Sequence, residues 1–267
     1  MPQSLCKGLI SELQSAKRLL EKPSVAARFS SSLATPIEGG MKRLPKSASD
    51  TILNVATRSL ETALDVALLT LGDAPQPAWN LTHKASAAIS GAAGGAFGLP
   101  ALAIELPIST TIILRSIADI ARSEGEKLSL REPQLACLEV FALGGTASDD
   151  DAAETGYYGI RAALAGAVSE AAKHYVAKGA AKKGSPALVR LISQIAARFS
   201  IPVSEKAAAQ AVPVIGAAGG ALINTMFIDH FQNVARGHFV VRRLERLYGA
   251  DLVRSAYASL PSSENSS

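Results

Sequence analysis

Apolar residues recur at helical spacing along most of the chain, whereas the strict alternation typical of strands is scarce. Two stripes predict amphipathic helices over residues 4–20 and 47–70, with Asp50 able to cap the second. The first stripe comprises Leu5, Leu9, Ile10, Leu13, Ala16, Leu19 and Leu20. The second comprises Ile52, Val55, Ala56, Leu60, Ala63, Leu64 and Ala67. We expect the first helix either to dock on the protein body or to lie on a membrane surface.

The rest of the pattern predicts an all-α protein, a multi-helix bundle with two related Gly/Ala-rich helical hairpins. Further helices are predicted over 108–123, 133–143, 151–182, 185–199 and 225–248. Residues 71–80, with two prolines and a glycine, form a predicted loop, and Gly249 caps the last helix. The predicted organisation is a basic N-terminal arm and linker over 1–46, a helical domain over 47–258 and a disordered tail over 259–267.

Two segments carry no charged residue, residues 85–104 over 20 positions and residues 207–228 over 22 positions. Both are long enough for a membrane span, but small and polar residues dominate them and gain little from hydrocarbon. Their glycines recur at the four-residue spacing that lets helix backbones approach closely, in lipid or in a protein core. These predicted packing glycines are Gly91, Gly94, Gly95, Gly98, Gly216, Gly219 and Gly220.

The two segments share the sequence GAAGGA at an offset of 125 residues. We interpret them as two copies of one helical hairpin related by a pseudo-twofold axis, although shared Ala/Gly bias would also give so short a match. The same offset aligns Glu105 with His230, which would face each other across such an axis. That pair would provide a base, a pair of metal ligands or a structural tether.

The distribution of charge along the sequence argues against a nucleic-acid partner. Residues 1–46 hold eight Lys or Arg against three Glu, a net charge of +5, whereas the whole chain carries +4. The body therefore lacks the basic, aromatic-interleaved surface of a nucleic-acid-binding protein. Two cysteines without a CxxC spacing indicate a reducing compartment, and no long apolar run follows Met1, so we predict a cytoplasmic protein.

No motif of established chemistry is present in the sequence. There is no HExxH, GxSxG, Walker loop or dinucleotide fingerprint, so neither a cofactor nor a metal is predicted. Two sets of residues have the spacing of intrahelical ion pairs on a solvated face or in a polar cleft: Arg115, Asp119 and Arg122, and Arg242 with Glu245.

The chain resembles the EcsC family between about residues 47 and 248, with the basic arm outside the match. The stretches that carry the resemblance are AISGAAGGAFGLPALAIELPISTTIILRSIADIARSEGE, LEVFALGG, GYYGIRAAL, RFSIPVSEKAAAQAVPVIGAAGGALIN and FIDHFQNVARGHFVVRRLERLYG. The resemblance implies a bacterial helical protein whose family is named after a gene beside an ABC-transporter pair. It supplies no catalytic residues, so the candidate polar site is chemical inference: Glu105, Arg115, Asp119, Tyr157, Arg161, His230, His238, Arg242 and Glu245.

The leading functional hypothesis is a non-enzymatic protein at the inner face of the cell membrane. It would bind a lipid or membrane surface, or a membrane-protein partner as an accessory to transport or secretion. The competing hypothesis is a soluble enzyme or metal-binding protein that uses Glu105 and His230 in a helix-lined cleft. A third is a structural adaptor whose basic arm recruits a partner protein.

Overall fold

The computed structural model describes residues 3–21, 25, 28–30, 48–70, 99–145, 156–177, 185–211 and 216–261, and none of these lies in a strand. The prediction of an all-α bundle is therefore confirmed. In chain order the helices are α1 (Gln3–Leu20), α2 (Ala48–Thr70), α3 (Leu99–Ser123), α4 (Arg131–Leu143), α5 (Tyr157–Ala177), α6 (Pro186–Gln210), α7 (Gly216–Tyr248) and α8 (Ala250–Ser259).

The long helix α7 is the centre of the bundle, since α1, α3, α4, α6 and α8 all pack against it. Helices α2 and α5 complete the bundle around α3, α4 and α6. Four phenylalanine rings from α4, α6 and α7 pack together with centroids 5.0 to 6.3 Å apart, mostly edge to face. They are Phe141, Phe199, Phe227 and Phe231, all fully buried. Edge-to-face packing of this kind adds to the stability gained from apolar burial.

Helices α3 and α7 lie side by side and run in the same direction. Gln232 of α7 donates to Ser116 of α3 (2.7 Å). Farther along both helices, Arg243 of α7 donates to Glu124, directly after the end of α3 (2.7 Å). Residue numbers therefore rise together along the two helices, at an offset between 116 and 119. The N-terminal halves of α3 and α7 consequently lie at the same end of this helix pair.

Several helix ends were predicted wrongly, because a proline or a glycine was interpreted as a helix break. Helix α3 begins at residue 99 instead of 108, and α6 ends at 210 instead of 199, because each continues through a proline, Pro107 and Pro202. A proline removes one backbone hydrogen bond and bends a helix, but packing on both sides can outweigh that cost. Helix α7 begins at 216 instead of 225, so the second glycine segment is helical.

The first glycine segment, with Gly91, Gly94, Gly95 and Gly98, lies outside the described residues, as does the predicted loop over 71–80. Gly216, Gly219 and Gly220 belong to the first two turns of α7. The close pairing of two glycine faces accordingly stays a prediction. Within the described residues, no helix is both long enough and apolar enough to cross a bilayer.

Helix α1 docks on the body, one of the two alternatives that its pattern left open. Leu13 is fully buried, and the Lys17 ammonium donates to the carbonyls of Tyr257 (3.2 Å) and Leu260 (2.7 Å). Farther along, Val25 and Phe29 are also buried, so the predicted linker contributes to the core.

Helix α8 was not predicted from the sequence, and it reaches the start of the predicted tail. Ser259 is its last residue, and the carbonyl of Leu260 accepts a hydrogen bond from Lys17. Gly249 separates α8 from α7 with φ +92° and donates its N–H to Glu245 O, so α7 ends directly before the predicted glycine. Residues 262–267 lie outside the described residues.

The contact between α1 and α7 depends on a glycine. A Cβ added at Gly237 would lie 2.9 Å from Ala16 O and 2.7 Å from the Leu20 side chain. At Gly166, also inside a helix, an added Cβ meets nothing within 4 Å. Gly237 therefore permits a close approach, whereas Gly166 only weakens its helix.

We predict that Gly237→Ala lowers the free energy of unfolding by about 1–3 kcal/mol through overpacking. Gly166→Ala should raise it by up to about 1 kcal/mol, because alanine is the better helix former. Urea unfolding followed by circular dichroism measures both. Equal effects of the two substitutions would contradict the close approach of α1.

Candidate functional site

Two buried polar clusters lie along α7, separated by the phenylalanine core. The first, the Lys206 cluster, comprises Glu105, Lys206, Gln210 and Asn224, from α3, α6 and α7. The second, the His238 cluster, comprises Glu139, Tyr157, Arg161, His238 and Glu245, from α4, α5 and α7. Each cluster joins three helices, so each can fix how those helices sit against one another.

In the Lys206 cluster an ammonium group is completely buried. Lys206 Nζ donates to Glu105 Oε1 (2.7 Å) and to Asn224 Oδ1 (2.9 Å), and it lies 4.8 Å from the centroid of the Phe227 ring. Gln210 Nε2 donates to the other carboxylate oxygen, Glu105 Oε2 (3.3 Å). Burial lowers the pKa of Lys206, and the neighbouring Glu105 carboxylate acts in the opposite direction. The charge of each partner is thus compensated inside the bundle.

The direct pairing expected between Glu105 and His230 is not found. Glu105 is paired with Lys206, whereas His230 Nε2 lies 2.8 Å from the carbonyl oxygen of Gly144 at the end of α4. The reason is the register of α3 and α7. The contact offset of 116–119 brings Glu105 level with Asn224, about 9 Å along the helix axis from His230. The 125-residue offset of the sequence repeat is therefore not the offset at which the helices touch.

The His238 cluster unites four of the predicted site residues. Tyr157 Oη lies 3.0 Å from His238 Nδ1, and Arg161 Nη1 donates to Tyr157 Oη (3.3 Å). The Arg161 guanidinium also binds both oxygens of Glu245, at 2.7 and 3.0 Å, the paired geometry in which such contacts are strongest. Tyr158 donates to Glu245 as well (3.1 Å).

Glu139 is a member of this cluster that the sequence did not single out. His238 Nε2 is buried and has no hydrogen-bond partner among the described residues, and Glu139 Oε2 lies 4.0 Å away. Burial raises the pKa of Glu139 to about 7, against the opposing effect of Arg242 and Arg161. Burial, together with the charges of Arg242 and Arg161, lowers the pKa of His238 well below its usual value. Near neutral pH the imidazole is therefore uncharged.

Next to the His238 cluster, an open groove of about 460 Å³ is lined by paired charges. Arg242 donates to Glu126 (2.7 Å) and to Glu132 (2.8 Å), and Arg246 also binds Glu126. The groove is lined by Gly125, Glu126, Lys127, Leu130, Glu132, Pro133, Arg242, Glu245 and Arg246. Burial raises the pKa of Glu126, but the two arginines outweigh it and hold that pKa below its usual value.

Arg115 and Asp119 are not placed in either cluster. Asp119 forms an ion pair with Arg122 on the same helix, with the Asp119 side chain partly exposed. Arg115 Nε is buried without a hydrogen-bond partner among the described residues. Of the predicted set of Arg115, Asp119 and Arg122, the structure therefore pairs Asp119 with Arg122 and leaves Arg115 outside that ion pair.

Comparison with known proteins gives one result. The sequence profile of the EcsC protein family matches residues 9–244, most of the chain. The chain belongs to the EcsC protein family. Neither the curated proteins nor the solved structures provided a match.

The family match begins inside α1, well before residue 47, and it includes every member of the two polar clusters of this EcsC protein except Glu245. Among its described residues, no group of three or more His, Cys, Asp or Glu side chains is arranged to hold a metal ion. An enzyme or metal site built on Glu105 with His230 has no support from the geometry, because each side chain has a different partner.

Breaking the Lys206 cluster from one side should be costly. We predict that Lys206→Met lowers the free energy of unfolding by about 3–5 kcal/mol, because it leaves the buried Glu105 carboxylate without its cation. The double variant Glu105→Gln/Lys206→Met should recover most of that loss, since neither charge then remains. Urea unfolding at neutral pH measures both variants.

The matched control is an exposed ion pair of similar length, Arg190 with Glu170 at 2.8 Å. Arg190→Met should cost no more than about 1 kcal/mol, because solvent screens that pair. A Lys206→Met variant as mildly affected as Arg190→Met, or a double variant no more stable than Lys206→Met, would contradict the buried pairing.

Proposed function

We propose that this EcsC protein associates with the surface of a lipid bilayer through the apolar end of its bundle. The apolar end is defined by residues 99–114 of α3 and 216–228 of α7. The observation that carries the proposal is the exposure of isoleucine there: Ile104 is 72% exposed, and Ile108, one turn further along the same face, is also exposed. Leu222 of α7 adds a third exposed apolar side chain.

The residues that define the apolar end expose no charged side chain. Among residues 99–114 and 216–228 the only charged side chain is Glu105, and it is buried against Lys206. The opposite end of the same two helices carries an ion-pair network that includes Glu124 with Arg243 and Glu126 with Arg242. The α3–α7 pair therefore has one apolar and one strongly polar end, as a protein held at a bilayer interface requires.

The sequence next to the apolar end extends the same character. Residues 85–98 lead into α3, and residues 211–215 lead into α7, and neither stretch contains a charged residue. Residues 85–98 and 212–215 lie outside the described residues, and residue 211 is the last one described before α7. Both stretches are covalently continuous with the apolar end, because residue 98 directly precedes α3 and residue 215 directly precedes α7.

The energetics favour hydrophobic insertion over electrostatic attraction. Moving one Ile or Leu side chain from water into an apolar medium gains about 1.5–3 kcal/mol. Because Ile104, Ile108 and Leu222 are only partly exposed, their insertion gains less than three times that amount, which favours reversible over permanent binding. Because the described apolar end exposes no cation, binding should require neither anionic lipid nor low salt.

The test is co-sedimentation of the full chain with neutral phosphatidylcholine vesicles. We predict that the wild-type protein binds, that binding persists in high salt, and that Ile104→Glu weakens partitioning by roughly tenfold. Leu247→Glu is the matched control, because Leu247 is 64% exposed but lies at the polar end of α7. It should leave vesicle binding unchanged.

Two results would overturn the proposed function. One is a wild-type protein that ignores neutral vesicles, or that binds only anionic vesicles and is released by salt, which would indicate attachment through the basic arm. The other is an equal loss of binding in Ile104→Glu and Leu247→Glu, which would show that no particular end faces the lipid.

A further inference from the structure

The His238 cluster contains a row of hydrogen-bonding groups with one gap. We propose that Arg161, Tyr157, His238 and Glu139 form a switchable hydrogen-bond chain, which closes when Glu139 loses its proton and then ties α4 to α5 and α7. The proposal stands on the geometry of the cluster and is independent of membrane association.

The direction of the chain follows from which groups can donate. Arg161 has only donors, so at 3.3 Å its Nη1 donates to Tyr157 Oη. The tyrosine proton is then free to be donated to His238 Nδ1 at 3.0 Å. A neutral imidazole carries a single proton, so that proton must be on Nε2. Every group thus donates to the next one, from Arg161 towards α4.

The gap lies at the end of this row. The protonated Nε2 of His238 is fully buried without a partner among the described residues, and the Glu139 carboxyl oxygen stands 4.0 Å away. That separation is about 1 Å longer than an ordinary N–H···O hydrogen bond. A buried donor without an acceptor destabilises the folded state, so a small movement of the Glu139 side chain would be favourable once it carries a charge.

The surrounding charges explain why the charge on Glu139 is not already compensated. Arg161 is bound to Glu245, and Arg242 is bound to Glu126 and Glu132. The titratable and charged groups that face the chain are Cys137 and Glu132 of α4, Glu126 before it, Tyr158 and Arg161 of α5, Arg242 and Glu245 of α7, and Tyr257 of α8, whose ring packs on Tyr157. Both arginines therefore act on Glu139 only from a distance.

These surroundings place the switch near neutral pH. Burial raises the pKa of Glu139 to about 7, so both protonation states are populated in that range. His238 stays uncharged throughout, because burial and the two arginines lower its pKa. Near neutral pH only the Glu139 carboxyl group therefore gains or loses a proton. When it loses that proton, His238 Nε2 donates a hydrogen bond to it. The closed chain holds α4 against α7 beside the groove that Arg242 and Glu245 line.

The experiment is nitrogen NMR of the full chain labelled in its histidine rings, titrated from mildly acidic to mildly alkaline pH. His238→Gln assigns the resonance. We expect His238 to keep its proton on Nε2 at every pH, with that N–H proton moving downfield as the pH rises through about 7. Glu139→Gln, which mimics the protonated carboxyl group, should abolish the shift.

Two further variants separate the switch from a general pH effect. Glu132→Gln removes a carboxylate that lines the groove and is 55% exposed, and it should leave the shift in place. Tyr157→Phe removes the donor to Nδ1, so part of the His238 population should move its proton to Nδ1 and the shift should shrink. This variant also decides the matter if Glu139→Gln does not fold.

Three results would overturn the switch. A His238 resonance that does not change with pH would show that the chain never closes. Protonation of both ring nitrogens would show that the imidazole titrates instead of Glu139. A shift of full size in Glu139→Gln, or in Tyr157→Phe, would show that it arises outside the chain.

Discussion

The parallel packing of α3 against α7 is the constraint on which the rest of the structure depends. Gln232 meets Ser116, and Arg243 meets Glu124, so the two helices keep one register over most of their length. This register collects residues 99–114 of α3 and 216–228 of α7, whose only charged side chain is the buried Glu105, at one end and the ion pairs of both helices at the other. It also brings Glu105 level with Asn224, where a single ammonium group, that of Lys206, binds both.

The two polar clusters serve different purposes within this arrangement. The Lys206 cluster is satisfied at every charged atom, so it stabilises one orientation of α3, α6 and α7 and penalises alternatives that separate Lys206 from Glu105. Among the described residues, the His238 cluster is one hydrogen bond short, at His238 Nε2. A cluster whose polar groups are all hydrogen-bonded stabilises one structure. A cluster with one unpaired donor can gain a hydrogen bond through a small side-chain movement, and we therefore assign regulation to the His238 cluster.

Much of the fold could be predicted from the sequence, because helical periodicity is a local signal. The stripe containing Leu13 and the glycine at 249 gave helix positions that the structure confirms. Helix ends at Pro107 and Pro202 could not be predicted, since local rules place a break there and only tertiary packing overrides it. The short helix α8 was missed because only two of its side chains, Val253 and Tyr257, are buried.

The site was predicted only in part, for a related reason. Tyr157, Arg161, His238 and Glu245 were chosen for their chemistry, and the structure brings them together. Lys206 and Glu139 were missed because nothing in a helical stripe distinguishes a buried charge from an exposed one. The pairing of Glu105 with His230 failed because a sequence repeat gives an offset between copies, whereas contacts follow the register in which two helices pack.

The most direct test of the account asks which end of the α3–α7 pair enters lipid. A nitroxide label would be attached at position 104 or at position 247, each as a cysteine in a background without Cys6. Accessibility to oxygen would then be compared with and without neutral vesicles. We predict that vesicles raise oxygen accessibility at 104, which lies roughly 36–40 Å along the helices from 247, and leave 247 in water. Labels that stay equally water-exposed at both positions would contradict it.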